Sequence, residues 1–309
     1  MALAAASQNS EALKGNLLCF AAMVAWAVGF PAVEPLLDTW GVLALIAARM
    51  TVGASLLIIV LWLVEGAAPL QTAHWRNGVV VGALGFGLGT TLLLLGQALS
   101  DPVTTAIVAA MSPVAGAVYE FLFDRRRASL RLITGVILSI IGGLIAVGPA
   151  LFTGEAGLGA LFCIISVFAF VWGTRAANRQ MPGDSALART TVTSVGAAAF
   201  CAIAWGAAAA LSLGTAEAGA FGPVEIANFL VWTILAFVIS QTLWLWSAGA
   251  LGVLVASLQM NAVPFYVMIA GVLALGAEWS WTQAAGAAVV GLGVIVAQSP
   301  LRRVRKVVH

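Results

Sequence analysis

The two halves of this chain repeat one another. With an offset of 144 residues, Gly15 meets Gly159, Leu17 meets Leu161, Cys19 meets Cys163, Ala25 meets Ala169 and Gly29 meets Gly173. With an offset of 151, Pro113 meets Pro264, Gly135 meets Gly286 and Gly142 meets Gly293. Each half holds five apolar segments, near 15–36, 41–63, 77–97, 102–123 and 130–150, then 157–178, 187–212, 226–248, 253–275 and 283–300. A unit of five crossings ends on the opposite side of a bilayer from where it began, so its duplicate must lie upside down. Inverted repeats of this kind are characteristic of alternating-access carriers. The expected fold is an all-α integral membrane protein with ten transmembrane helices in two inverted five-helix repeats, 1–152 and 153–309, making one membrane domain.

Composition leaves little room for another class. Of 309 residues, 62% are apolar and 8% are charged, and mean hydropathy is +1.05. Soluble domains carry about 25% charged residues. Spans of about 20 apolar residues suit helices, which satisfy their own backbone in hydrocarbon; an outer-membrane barrel would show shorter alternating segments. No cleavable leader is expected, because the first apolar stretch is long enough to span and lacks a small-residue exit site. Cys19, Cys163 and Cys201 all fall inside predicted spans, which predicts neither a disulfide framework nor a metal site. No cofactor is expected. The longest loops, near 64–76, 179–186 and 213–225, are too short for a soluble domain.

The distribution of basic residues sets the topology. Of the 14, 13 fall in one alternate set of connections or at the segment ends that border it and none in the other, Arg49 alone lying deeper within a span. The basic set includes Lys14, Arg76, the run Arg125-Arg126-Arg127, Arg179 and Arg302 to Lys306. Positive loops stay in the cytoplasm, so both termini face inward, while Asp38, Asp101, Glu155, Glu217, Glu225 and Glu278 face outward. The basic runs are read as topology signals with possible anionic-lipid contact, and no nucleic-acid partner is expected.

Small residues and prolines mark how the helices meet and bend. Gly78, Gly82, Gly85 and Gly89 trace one face of the third segment, as Gly135 and Gly142 do in the fifth and Gly286 and Gly293 in the tenth. Such faces let backbones approach closely; a sliding surface for rocking is the alternative. Pro31, Pro113 and Pro264 each remove a backbone hydrogen bond. They are candidate hinges at broken helices, or bends in a scaffold.

Charge within the bilayer is costly and therefore informative. Glu34 and Arg49, toward the outer ends of helices one and two, are candidates for an outer gate or a carboxylate anchor, with a structural ion pair as the plainer reading. Glu120 and Arg175 stand near the inner ends of helices four and six, as an inner gate or simply in reach of cytoplasmic water. The centre is otherwise uncharged. That disfavours phosphorylated sugars, which need clustered Arg or Lys, and favours neutral, zwitterionic or apolar cargo. Trp26, Met111, Tyr119, Trp172, Gln241, Trp244, Gln259, Asn261 and Tyr266 are the candidate substrate-binding residues, since aromatic walls with a few polar groups suit small-molecule pockets. Packing competes for each of them. Trp40, Trp62, Trp75, Trp279 and Trp281 are read as interface residues, and Trp205, Trp232 and Trp246 as lipid-facing.

Trp26 to Phe30, Arg49, the Ala98-Leu99 and Ala250-Leu251 pairs and Leu275-Gly276-Ala277-Glu278 follow an order that resembles the drug/metabolite transporter superfamily in its ten-helix EamA branch. The chain as a whole is similar to the aromatic amino-acid exporters of that branch. The resemblance implies a central cavity lined by helices one, three, four, six, eight and nine, with five and ten as scaffold. It implies export of amino acids or other small metabolites across a bacterial inner membrane. A passive channel, or an exporter of purines or drugs, is the alternative. A membrane enzyme is disfavoured, because His74 and His309 lie outside the spans and no nucleophile or metal motif is present.

The topology is testable with Cys19, Cys163 and Cys201 replaced by Ser. Arg76→Cys and Arg179→Cys should react with an impermeant maleimide only after the membrane is opened. Asp38→Cys and Glu217→Cys should react in intact cells.

Overall fold

The computed structural model describes residues 2–123, 130–147, 154–251 and 259–298, and all regular structure in them is helical. α1 (Ala2–Ala27) and α2 (Gly29–Leu37) form one rod interrupted at Val28. Pro31 lies buried in α2. Lacking an N–H, it leaves the Ala27 carbonyl without its helical partner, and the interruption falls there. α3 (Val42–Glu65) is followed by α4 (Ala68–Thr72), α5 (Trp75–Val81), a π-helical stretch (Gly82–Gly87) and α6 (Leu88–Ala98). α7 (Pro102–Ala110) and α8 (Ser112–Phe123) meet at Met111, then α9 covers Leu130–Val147.

In the second half, α10 (Gly154–Gln180) and α11 (Ala186–Ala210) are unbroken. α12 (Pro223–Leu230), a second π-helical stretch (Val231–Ile239) and α13 (Ser240–Leu251) form one rod. A 3-10 turn (Gln259–Ala262) leads into α14 (Val263–Leu275), and α15 covers Trp281–Gln298. Local chemistry fixes several boundaries. Asp101 caps α7 by accepting from the backbone N–H of Val103 and Thr104, each at 2.9 Å, and Ser185 caps α11 by accepting from Ala188 N–H at 2.9 Å. Such caps satisfy donors that a helix start leaves open. Gly276 closes α14 with φ of 65°, in the left-handed region that glycine tolerates.

Among the described residues, six rods are long and apolar enough to cross a bilayer: Leu13–Leu37, Val42–Glu65, Trp75–Ala98, Gly157–Gln180, Ala186–Ala210 and Pro223–Ser247. The α7–α8 pair, bent by 44°, makes a seventh if taken as one span. Shorter apolar helices occupy Ile133–Ala146, Gln259–Leu275 and Trp281–Val296. Each of these adjoins residues outside the described set. Pro264 differs from its expected mid-helix place. It sits buried in the first turn of α14, where a missing N–H costs nothing because that donor has no helical partner anyway. Apolar side chains cover the outside: Leu63, Ile203 and Leu273 are 69%, 72% and 81% exposed, a surface that lipid can solvate.

The rods pack in antiparallel pairs: α9 with α15, α3 with α11, α1 with α13 and α10 with α6, while α7 packs on α14. The direction follows from which residues meet. A Cβ on Gly142 would lie 2.7 Å from the Gly286 carbonyl, and one on Gly293 2.7 Å from the Gly135 carbonyl, so α9 and α15 run in opposite senses. Leu57 and Leu61 cluster with Leu187 and Ala188, and Leu45 and Ala47 with Ala197 and Cys201. Gly15 meets Leu251 while Gly29 meets Ala236, and Gly96 meets Gly159 while Gly85 meets Gly173. With the apolar segments numbered one to ten, the pairs are 5–10, 2–7, 1–8, 3–6 and 4–9. Exchanging the halves leaves that set unchanged.

The connections sort by charge. In the basic set, His74 Nδ1 lies 2.9 Å from Asp184 Oδ1, and Asn77 donates to the Gln180 carbonyl at 3.0 Å. In the acidic set, Gly41 N–H donates to the Glu217 carbonyl at 2.9 Å, and Trp40 Nε1 to the Ala220 carbonyl at 3.2 Å. Trp40, expected at the interface, is thus buried under that loop at 8% exposure.

Adjacent glycines separate close packing from mere flexibility. Gly142→Ala should destabilise by about 1–3 kcal/mol, because its methyl meets backbone. Gly143→Ala faces open space and should be neutral or gain up to ~1 kcal/mol from helix propensity. Thermal unfolding of the purified variants in detergent reads the difference.

Candidate functional site

Inside the bundle a small pocket opens between α1, α2, α3, α6 and the second π-helical stretch. Trp26, Arg49, Thr90, Gln97 and Trp232 give it its chemistry, and Gly29, Phe30, Leu93, Leu94 and Ala236 complete its walls. Arg49 stands seven residues into α3, roughly 10 Å from its start at 1.5 Å per residue. Its guanidinium carbon lies 4.3 Å from the Trp232 ring centroid and 5.2 Å from that of Phe237. Cations favour the electron-rich faces of such rings, and a planar guanidinium also stacks on them. Its Nε is buried and has no hydrogen-bond partner among the described residues.

Trp232 is 4% exposed, which corrects its expected lipid-facing place. The indole is drawn inward because it covers a cation, and nothing in the local sequence distinguishes it from Trp205 and Trp246, which are 41% and 50% exposed.

Glu34 and Arg49 do not pair. The Glu34 carboxylate accepts from Gln97 Nε2 at 2.6 Å, and the same Nε2 donates to the Phe30 carbonyl at 2.8 Å. Gln97 is 5% exposed. It bridges α6 to α2, donating both to the Phe30 carbonyl and to the Glu34 carboxylate. Sequence reading missed Gln97, Thr90 and Trp232. The signal available for Gln97 was an uncharged amide inside a span, which needs a partner.

The other predicted residues fall in three places. Trp26 lines the pocket and stacks edge-on against Phe30, centroids 5.5 Å apart. It also borders a cluster around Ala22, Met23, Val263 and Val267 that Trp244 and Tyr266 share, with Tyr266 edge-on to Phe20 at 5.7 Å. Trp244 Nε1 and both amide atoms of Asn261 are buried without partners among the described residues. Gln259 donates to Asn16 Oδ1 at 3.1 Å, and Gln241 is half-buried in α13.

Met111 sits at the α7–α8 bend against Ile107 and Val114. Tyr119 stacks with Phe123, centroids 4.4 Å apart, and lies 5.0 Å from the Arg175 guanidinium carbon. Trp172 packs against Val81, Ala176 and Met181. The Glu120 and Pro113 side chains lie outside what the structure describes, although both residues belong to α8. The pocket therefore differs from the cavity that the resemblance implies. It takes Arg49 from helix two, and none of its lining residues comes from helices four, six or nine.

Among the described residues, no group of three or more His, Cys, Asp or Glu is placed to hold a metal. Cys19, Cys163 and Cys201 are buried and form no disulfide with one another.

Bundled apolar rods with a polar pocket at their centre define a multi-pass membrane protein. Residues 13–148 match the model of the EamA-like transporter family. No curated protein is similar enough to count as a match. A solved structure described only as "Crystal structure of protein" is 20% identical, with a TM-score of 0.65 over 94% of this chain and 98% of its own. The two share a fold.

Removing the Gln97 amide would leave the half-buried Glu34 carboxylate without this hydrogen bond and Phe30 without its link to α6. Gln97→Leu should therefore destabilise by about 1–3 kcal/mol, whereas His74→Ala, which breaks a half-exposed pair, should cost under about 1 kcal/mol. Thermal unfolding in detergent tests both.

Proposed function

We propose that the protein is a secondary transporter that exports amino acids, aromatic or other neutral ones foremost, and related small metabolites from the cytoplasm by alternating access. The observation that carries this reading is the exchange symmetry of helix pairing around an internal polar pocket. Segments 2 with 7, and 5 with 10, are repeat-related yet antiparallel, which supports two inverted five-helix repeats, 1–152 and 153–309, and ten crossings. The third segment of each half carries a π-helical stretch. The fourth of the first half is interrupted at Met111, and in the fourth of the second half a 3-10 turn, Gln259–Ala262, leads into α14. These paired irregularities support the same duplication.

In this reading the halves rock about the interruptions near Pro31, Pro113 and Pro264, and one site faces each side in turn. Trp26, Trp244, Asn261 and Tyr266 meet the cargo in the centre. Gln241, Gln259, Met111, Tyr119 and Trp172 line its path. Arg175 over Tyr119, with Glu120, closes the inner end, and Glu34 and Arg49 belong to the outer end. The sorting of basic and acidic connections to opposite ends of the rods supports cytoplasmic termini in a bacterial inner membrane. The scarcity of charge at the centre favours neutral or zwitterionic cargo.

Counterflow decides between a carrier and a passive pore. In proteoliposomes loaded with unlabelled L-phenylalanine, uptake of labelled L-phenylalanine should overshoot its equilibrium level several-fold. Uptake that rises to equilibrium at the same rate with or without internal amino acid would sink the carrier reading.

A further inference from the structure

Arg49 presents an unsolved electrostatic problem inside the bundle. Its charge stands within a span, no described carboxylate pairs with it, and its Nε is buried without a hydrogen-bond partner among the described residues. A charge held in lipid normally pairs with another group or marks a binding path. Glu34 does not line the pocket and is taken up by Gln97, which does. Trp232 and Phe237 supply ring faces to Arg49. Ring faces leave the in-plane N–H groups unused, because hydrogen-bond donors of a guanidinium point outward from its edge. The result is a guanidinium clamped by aromatics, with its edge available to the pocket it lines.

We propose that Arg49 is the anchor for a carboxylate of the transported molecule. The planar fork matches a carboxylate with two parallel hydrogen bonds. A monoanion is indicated, and not a phosphate ester: Arg49 is the one cation lining this pocket, and the Glu34 carboxylate one hydrogen bond behind Gln97 opposes a second negative charge. Trp26 and Phe30 on the facing wall give an aromatic or aliphatic body somewhere to lie. Thr90 and Gln97 are the remaining polar groups of the wall. The proposal deepens the reading given above in naming an amino acid as cargo, but its chemistry requires only the carboxylate.

The test uses four probes on the full chain in detergent: L-phenylalanine, L-phenylalaninamide, 3-phenylpropionate and 3-phenylpropionamide. Apparent affinity is read from the concentration dependence of the melting temperature. Each acid should bind at least tenfold more tightly than its amide. Arg49→Gln should bring both ratios to within twofold of unity, and Arg49→Lys, which keeps the charge but loses the fork, should retain about threefold. A merely structural arginine would change stability and leave the acid-to-amide ratios alone. Should Arg49→Gln not fold, the ratios in the unaltered protein and in Arg49→Lys still decide. Equal binding of acid and amide by the unaltered protein, binding of neither acid, or an undiminished ratio in Arg49→Gln overturns the assignment. Arg49-dependent binding of 3-phenylpropionate without counterflow of L-phenylalanine supports the anchor while removing amino-acid export. Counterflow of L-phenylalanine with no acid preference does the reverse.

Discussion

Backbone-to-backbone approach between antiparallel helices holds this bundle together. Lipid tails are as apolar as leucine, so burying leucine between helices gains little in a bilayer, and close van der Waals contact must do the work. Gly142 against Gly286, Gly85 against Gly173 and Gly96 against Gly159 bring main chains to distances at which a methyl group would collide. These contacts fix the interaxial spacing of two rod pairs, α9 with α15 and the Trp75–Ala98 rod with α10. Cys163, fully buried beside Gly96, shows how little slack remains. The pocket survives where side chains as large as Trp26 and Trp232 stand near a single small-residue contact, that of Gly29 with Ala236.

Two opposite charges share one neighbourhood without neutralising each other. A Glu34–Arg49 salt bridge would have quenched both. Instead the acid is held by an amide, and the guanidinium by rings. A desolvated cation–π contact is worth about 2 kcal/mol, which offsets only part of the cost of taking a charge from water. The remaining hydrogen-bonding capacity of Arg49 belongs to whatever fills the pocket. This separation keeps the centre polar enough for a ligand, while Leu93, Leu94 and Phe30 keep it from becoming a water channel.

Much of the fold was legible in the chain. Apolar segment lengths located the rods, the glycine rows located the closest contacts, and Asp101 and Ser185 stood where α7 and α11 begin. The matched glycines of segments five and ten meet across the α9–α15 seam. Other features left no local trace. Gln97 and Glu34 are 63 positions apart, and periodicity reveals which face an amide occupies but not which helix lies opposite. Trp232 reads like any membrane tryptophan until Arg49 is placed beneath it. Pro264 reads as a kink, because the turn that precedes it is built from Gln259 to Ala262, residues of no distinctive turn chemistry. The two π-helical stretches differ in composition, one being glycine-rich and the other bulky.

Those wide turns have a geometric effect beyond their own length. A π turn carries one residue more than an α turn, and each residue advances an α-helix by about 100°. Thr90, Leu93, Leu94 and Gln97 all follow the Gly82–Gly87 stretch, so their angular phase is inherited from it. Without that extra residue the wall they form would swing by more than a quarter-turn, away from Arg49 and toward a neighbouring rod. Trp232 and Ala236 lie within the other stretch. The orientation of two pocket walls is thus set by a winding irregularity in the main chain, independently of which side chains those walls carry.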